Sequence, residues 1–328
     1  MSRMLDESKE AAARVRDLLA ADVDTYRLLG DRLRSLSPTV VATIARGSSD
    51  HVANYASYII PQCTGRVVAS IPPSVVSVLD AKLALSGQLA LAVSQAGRSP
   101  DLVAAFQRAK EGGALTAAIV NDSAAPLAEL ADYVLPQHAG AEGIAATKTV
   151  LCSMAAVARL AAEWANDDGL RAAIAELPRA LEQAHANGLE LDAQMLDRVG
   201  NVYVLSRGLG LSAALETALK LKETCGVHAE AFSTAEVRHG PREIVVDGFL
   251  VIALVMPGSG RDDILSATRE LEAQGGRAII IEVPSGDARL APLVALQTVY
   301  PWLARASLAL GLDPDRPRTL TSKVIATF

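Results

Sequence analysis

Val41-Ala-Thr-Ile-Ala-Arg-Gly47 is followed, 161 residues later, by Val202-Tyr-Val-Leu-Ser-Arg-Gly208. Each is a short, nearly continuous apolar run closed by Arg-Gly. A strand buried on both faces of a parallel sheet has this pattern. A second pair keeps the same offset: Leu91-Ala-Val-Ser-Gln-Ala-Gly97 and Ile252-Ala-Leu-Val-Met-Pro-Gly258. Behind each second stretch come a helix, a Gly-Gly pair (Gly112-Gly113, then Gly275-Gly276) and another strand. The chain therefore reads as two copies of one α/β unit.

Outward from these runs, the pattern places strands at 39–45, 66–71, 88–93, 115–120 and 133–135. Between them it places helices at 50–60, 100–111, 126–131 and 147–165. Strands alternating with helices at this spacing mean parallel sheets with crossover connections. Residues 1–37 read as an N-terminal helical segment, 38–166 as the first α/β domain, 167–198 as a helical connector and 199–328 as the second domain. The copies differ at one telling place. Ser94-Gln95 in the first is Val255-Met256 in the second. Polar groups at a strand's carboxyl end in one copy only point to one ligand site per pair of units.

Composition narrows the function classes. The 328 residues are 50% apolar and 21% charged, as in ordinary globular proteins. Aromatics are scarce: four Phe, two Trp and six Tyr. So few rings argue against single-stranded nucleic acid held by stacking. The net charge of −6 argues against a broad polyphosphate surface. Such a chain binds an anion through backbone N–H groups or a few placed cations. Cys63, Cys152 and Cys225 are far apart and form no CxxC or Cys/His cluster of the zinc type. They read as buried free thiols of a reducing compartment. The charged N-terminus lacks an apolar leader core, and no run of 18 apolar residues occurs. A cytoplasmic protein away from membranes is expected, with no metal and no cofactor.

Two turns in the first copy carry small hydroxyl residues: Gly47-Ser48-Ser49 and Ser94-Gln95-Ala96-Gly97-Arg98-Ser99. A parallel sheet brings such turns together at one rim, where helix N-termini offer unpaired N–H groups to an anion. Ser49 and Ser99 also read simply as helix caps, and Ser99-Pro100-Asp101 fits a cap followed by proline. Two such turns, with Thr147 opening a third helix, favour a phosphate monoester. No GxGxxG or P-loop pattern favours a nucleotide.

Further on, Glu216, Lys220 and Glu223 fall at i, i+4 and i+7 on one helix face. This pattern suits a solvated salt-bridge face, or, given the flanking leucines and alanines, a partly buried acid–base group. His239-Gly240-Pro241 places a histidine on an irregular turn. His228 reads as a packed structural histidine.

Together these residues resemble the SIS-type sugar isomerase family, most closely the isomerase half of glucosamine-6-phosphate synthase and its stand-alone deaminase-type relatives. The resemblance covers nearly the whole chain. It is carried by Ala45-Arg-Gly-Ser-Ser49, Ser94 to Ser99, Ala145-Ala-Thr-Lys148, Ala214 to Glu223, His228-Ala-Glu-Ala-Phe232, His239-Gly-Pro241 and Pro317-Arg-Thr-Leu320. The run from Ala214 to Pro241 is the specific part.

The resemblance implies two tandem SIS domains, each a five-stranded parallel sheet flanked by helices, doubly wound and flavodoxin-like. It implies phosphosugar binding through Gly47, Ser48, Ser49, Ser94, Gln95, Ser99, Ala145 and Thr147. Glu223 then moves a proton between sugar C1 and C2, His239 opens the ring, and Lys220 supports the site. A C-terminal lysine enters such sites, and Lys323 is the candidate. A homodimer with a shared active site is implied, acting on a hexose phosphate or amino-sugar phosphate.

The departures are Ala96 in place of a third phosphate-binding serine, Arg98 in place of glutamate, Glu142 one residue closer to Lys148, and Lys323 one residue later. The synthase's glutaminase half needs an N-terminal cysteine, where this sequence has Ser2. The reading therefore expects no ammonia-generating half. It favours an isomerising glucosamine-6-phosphate deaminase, with a plain sugar-phosphate isomerase, a fructosamine-phosphate deglycase or a non-catalytic sugar-phosphate sensor as alternatives.

Overall fold

The computed structural model describes residues 2–191, 193–196, 199–284 and 286–319. These fall into two compact units. One holds residues 13–142 and 148–178; described residues of the other run through 2–12, 143–147 and 179–319.

The first unit is built from α1 (Arg3–Ala20, whose first turns belong to the other unit), α2 (Val23–Leu36), β1 (Val40–Ile44), α3 (Ser48–Thr64), β2 (Val67–Ser70), α4 (Ser74–Ser77), β3 (Leu89–Ser94), α5 (Pro100–Glu111), β4 (Leu115–Val120), α6 (Pro126–Leu130), β5 (Tyr133–Pro136), α7 (Lys148–Ala165) and the start of α8 (Asp168–Asn187). Its five strands are all parallel, in the order β2-β1-β3-β4-β5. Val41 lies in register with both Val68 and Leu89, so β1 is interior. Every residue of β3 is buried, as its unbroken apolar pattern predicts. On one face Ile44, Ala90, Ala92, Phe106 and Leu127 form a continuous core. Gly47, at φ 54°, turns the chain out of β1 and starts α3 at Ser48. The apolar pattern alone had placed that start two residues later. α5 begins at Pro100, where proline's fixed φ suits a first helical position.

The second unit repeats the plan. It comprises β6 (Asn201–Ser206), α9 (Gly210–Cys225), β7 (His228–Ser233), α10 (Thr234–Val237), β8 (Leu250–Val255), α11 (Arg261–Ala273), β9 (Arg277–Glu282) and α12 (Ala291–Ala309), with the end of α8. Its strands are parallel in the order β7-β6-β8-β9. Asn201, His228 and Leu250 each stand 161 residues beyond Val40, Val67 and Leu89, the matching strand starts. Two parallel sheets flanked by helices are thus present, of five strands and of four among the described residues. The resemblance had implied five in each. After β9 the chain enters the long, apolar α12, where the first unit runs through α6 into β5.

The cysteines are free. Cys152 and Cys225 are buried, and burial pushes the Cys225 thiol up to about 11 and that of Cys152 higher still. Both therefore stay protonated and unreactive at neutral pH. Cys63 departs from the sequence reading: it is half-buried, near the end of α3. Among the described residues no helix is long and apolar enough to cross a membrane.

Close helix packing in the first unit rests on small residues. α7 is alanine-rich and buried almost throughout, and α2 packs on it at Gly30. A Cβ at Gly30 lies 2.9 Å from the Glu163 backbone. Backbone cannot yield as a side-chain tip can, so overpacking outweighs the ~1 kcal/mol that glycine costs a helix. Gly30→Val lowers stability by about 2–3 kcal/mol, measured as a shift of the urea midpoint at unchanged slope. An unchanged midpoint contradicts this account of the packing.

Candidate active site

β1 and β3 are neighbours, so the turns that leave them lie side by side at one rim of the first sheet. Gly47 caps α3, and Ser48 and Ser49 form its first turn, both half-buried. At the second turn the Gly97 N–H donates to Ser94 Oγ at 3.1 Å, folding the loop back on the strand end. Gly97 sits at φ 62°, and an added Cβ there would lie 2.7 Å from the Ala125 Cβ. Ser99 occupies the cap position of α5, yet its hydroxyl makes no cap hydrogen bond. Gln95 donates through Nε2 to Glu142 Oε2 at 3.2 Å.

The two turns are joined by a contact that sequence reading missed. Arg46 Nε donates to Asp101 Oδ2 at 2.5 Å. The only sequence signal was the retention of Arg-Gly in both copies. Arg98, the departure from the synthase pattern, pairs with Asp122 at 2.7 Å, both side chains about half exposed. That pair holds the Asp122 carboxyl below the usual range, chiefly through the Arg98 hydrogen bond.

The third helix begins beside a carboxylate. Glu142 accepts the Thr149 N–H at 3.0 Å and the Thr149 hydroxyl at 2.5 Å, so a carboxylate already sits at the N-terminus of α7. Ala145 and Thr147 are buried. They belong to the 143–147 segment of the other unit, where Glu7 accepts the Gly143 N–H at 2.8 Å.

The second copy differs at the matching place. Gly210 replaces Ser49 and Met256 replaces Gln95. A Cβ at Gly210 would lie 2.2 Å from Ser206 Oγ and 2.7 Å from Met256 Cγ. A thioether fills the space at the start of α9, so this copy packs where the first offers hydroxyls.

The second unit holds the acid–base helix, α9. Lys220 is 1% exposed and reaches Glu216 Oε1 at 3.3 Å and Glu223 Oε2 at 2.5 Å. This is no solvated face: Glu216 is fully buried and receives the Tyr300 hydroxyl at 3.4 Å. Burial pulls the Lys220 pKa down, but the two carboxylates outweigh it and hold it above the ordinary lysine value. Glu223 is 23% exposed. It lines a cavity of about 400 Å³ with Lys222, Thr224, Arg316 and Arg318. One carboxylate is therefore locked inside and the other faces space where a ligand fits.

His239 stands exposed on the turn after α10, its N–H donating to Glu236 O at 2.9 Å; Gly240 follows at φ 133°. His228 is exposed on edge strand β7, bonded through Nδ1 to Asn201 Oδ1 at 2.9 Å, so it is not a core residue. The general burial preference of histidine misled there, because an edge strand leaves one side open. Lys323 lies outside the described residues.

A family model described as the SIS domain matches residues 39–162 and 195–287. A crystal structure from Silicibacter pomeroyi, described as a "putative phosphosugar isomerase", is 38% identical with a TM-score of 0.90, covering 96% of this chain and 100% of that one. A glutamine–fructose-6-phosphate aminotransferase (isomerizing) of Zymomonas mobilis is 33% identical over 73% of this chain and 44% of its own length. Its counterpart in Thermococcus kodakarensis is 28% identical over 98% of this chain and 57% of its own. The chain spans about half the length of the curated relatives it matches. The fold is also that of a glucosamine-6-phosphate deaminase from Thermotoga maritima, at a TM-score of 0.81 and 22% identity.

Lys220→Met strands the Glu216 carboxylate without its cation and costs about 3–5 kcal/mol in denaturant unfolding. Glu223→Gln keeps a polar group at a partly open position but removes one of the two charges on Lys220, and costs less, about 1–2 kcal/mol. Lys220's pKa is raised on folding, so its contribution is complete below the unfolded value of about 10.4 and fades only as pH rises through the folded one. Stability that already drops between pH 7 and 9 in wild type, but not in Lys220→Met, overturns this assignment.

Proposed function

This chain belongs to the SIS domain family, and from that premise we propose that it is a phosphosugar-handling enzyme that moves a proton between C1 and C2 of an open-chain hexose 6-phosphate. The supporting observation is the Glu216–Lys220–Glu223 arrangement, with only Glu223 facing a cavity. One carboxylate on one face of the sugar carries the proton both ways. The Lys220 ammonium holds that carboxylate in place from behind. The hydroxyl and amide turns of Ser48, Ser49, Ser94, Gln95 and Ser99 are the proposed phosphate ligands.

The finer reading is an isomerising glucosamine-6-phosphate deaminase. His239 assists ring opening, which frees the C1 aldehyde. Glu223 removes the proton from C2, giving an enolamine, and returns it to C1, giving the C2 imine. Water adds to that imine, and fructose 6-phosphate and ammonia leave. The balance is one amino sugar phosphate and one water in, one ketose phosphate and one ammonia out. A plain aldose–ketose isomerase uses the same carboxylate without the hydrolytic step. Lys323 is the proposed partner from the C-terminal tail. The assembly proposed is a homodimer, and the cell compartment is the cytoplasm.

Incubation with glucosamine 6-phosphate releases equimolar ammonia and fructose 6-phosphate. Glu223→Gln lowers kcat by about 10²- to 10⁴-fold while still binding the phosphosugar. Interconversion of hexose 6-phosphates without ammonia replaces the deaminase by the isomerase. Binding without turnover of any hexose phosphate, unchanged in Glu223→Gln, identifies a sensor and overturns catalysis.

A further inference from the structure

We infer that Arg46 is the fixed cation of the phosphate site, a guanidinium anchored by Asp101 between the two hydroxyl turns and presenting its far nitrogens to the phosphate. The inference rests on the phosphosugar reading above and assigns the one charged ligand that reading lacks.

Placement comes first. Arg46 immediately precedes Gly47-Ser48-Ser49, and Asp101 stands two residues after Ser99. The Arg46 Nε–Asp101 Oδ2 contact of 2.5 Å therefore crosses from one phosphate turn to the other. That contact is a direct tie between the two turns. Loss of this pair removes one link between the loops, although each keeps its own strand and helix.

Exposure is uneven across the pair. The Asp101 side chain is 3% exposed and that of Arg46 is 42%. The carboxylate is thus the inner member, with Oδ1 also accepting the Leu102 N–H at 2.9 Å. A guanidinium has five donors in a rigid fork. Here Nε is spent on Asp101, while the side chain as a whole stays 42% exposed. One such group can serve a buried carboxylate and an incoming phosphate together. Its rotamer is already fixed, so little side-chain entropy is lost on binding.

Charge supplies the need. A phosphate monoester carries about −1.5 to −2 at pH 7, and the chain's own net charge is −6. Ser48, Ser49, Ser94, Gln95 and Ser99 are all neutral. Asp50, in the first turn of α3, is a further carboxylate nearby, its pKa raised by desolvation against the pull of His51 and Arg46. Arg98 is a poor substitute, since Asp122 holds it through a terminal nitrogen in an exposed pair. A cation pinned between the turns supplies the missing attraction.

The duplicated unit provides a built-in control. Arg207 occupies the place of Arg46, but its Nε is 3.9 Å from Asp263, and NH1 donates to Ser233 Oγ at 3.2 Å. Asp263 gives its other oxygen to Arg238 at 2.7 Å. Met256 fills the neighbouring space. The arginine there is as exposed as Arg46, but its Nε is not spent on a buried carboxylate. It belongs to a surface network beside a turn that carries no hydroxyl at Gly210 or Met256.

The test uses the full chain, with inorganic phosphate in calorimetry and hexose 6-phosphate in steady-state kinetics. Arg46→Gln weakens phosphate about tenfold or more and raises KM to match, while kcat stays within about threefold. Arg46→Lys falls between wild type and Arg46→Gln, because it keeps the charge but not the fork. Arg207→Gln leaves phosphate affinity and KM unchanged. If Arg46→Gln fails to fold, Arg46→Lys carries the test alone, and wild-type phosphate affinity in it overturns the inference. Unchanged phosphate affinity in Arg46→Gln, with weakened binding in Ser99→Ala, sinks the role of Arg46 and leaves the phosphosugar reading standing. No phosphate binding and no turnover in the wild type sinks both.

Discussion

The all-parallel pairing of β1 between β2 and β3 is the constraint from which the rest follows. A parallel pair cannot be joined by a tight turn; each crossover must carry a helix over the sheet. Both faces are then covered, and the strands must be apolar throughout, as β3 is. The order β2-β1-β3 also makes the chain leave β1 in one direction and β3 in the other. The crevice at that switch is where open α/β sheets bind ligands. Gly47-Ser48-Ser49 and Ser94 to Ser99 stand at the two lips of this crevice.

Duplication gives the same crevice twice, and side-chain volume decides which copy remains open. In the first copy Ser49 and Gln95 are polar and partly accessible. In the second, Gly210 and Met256 have closed together so tightly that even a methyl group does not fit. Backbone geometry is nearly conserved between the two, strand start by strand start, while chemistry is not. The second copy has instead placed its polar residues on α9, where Glu216, Lys220 and Glu223 share one face.

Much of this was legible because it is periodic or local. The 161-residue offset, the apolar runs of β1 and β3, and the Pro100 helix start are all pattern, and the structure matches them within a residue or two. The i, i+4, i+7 spacing of α9 was equally plain, but its burial was not. That depends on Tyr300, 84 residues away in sequence, and on α12 packing against α9. Arg46–Asp101 and Gln95–Glu142 are likewise pairings of distant residues, 55 and 47 apart, which no local window shows. The capping of α7 by Glu142 was not legible either. Thr147 marked the helix start, and the carboxylate beside it comes from the preceding loop. His228 failed for a different reason, since edge position is a property of the sheet and not of the residue.

The two charged clusters follow one rule with opposite outcomes. A buried ion is tolerated only when its partners return what desolvation removes. In α9 the buried member is a cation, and two carboxylates hold it, one closed in and one facing the cavity. That leaves a carboxylate at the surface whose position is set from behind, as a proton carrier needs. Across the two hydroxyl turns the buried member is the carboxylate Asp101, and the guanidinium of Arg46 is the exposed one, as the proposed phosphate contact needs. In each case the inner charge fixes the outer one, and the sign left outside is the sign the proposed chemistry requires.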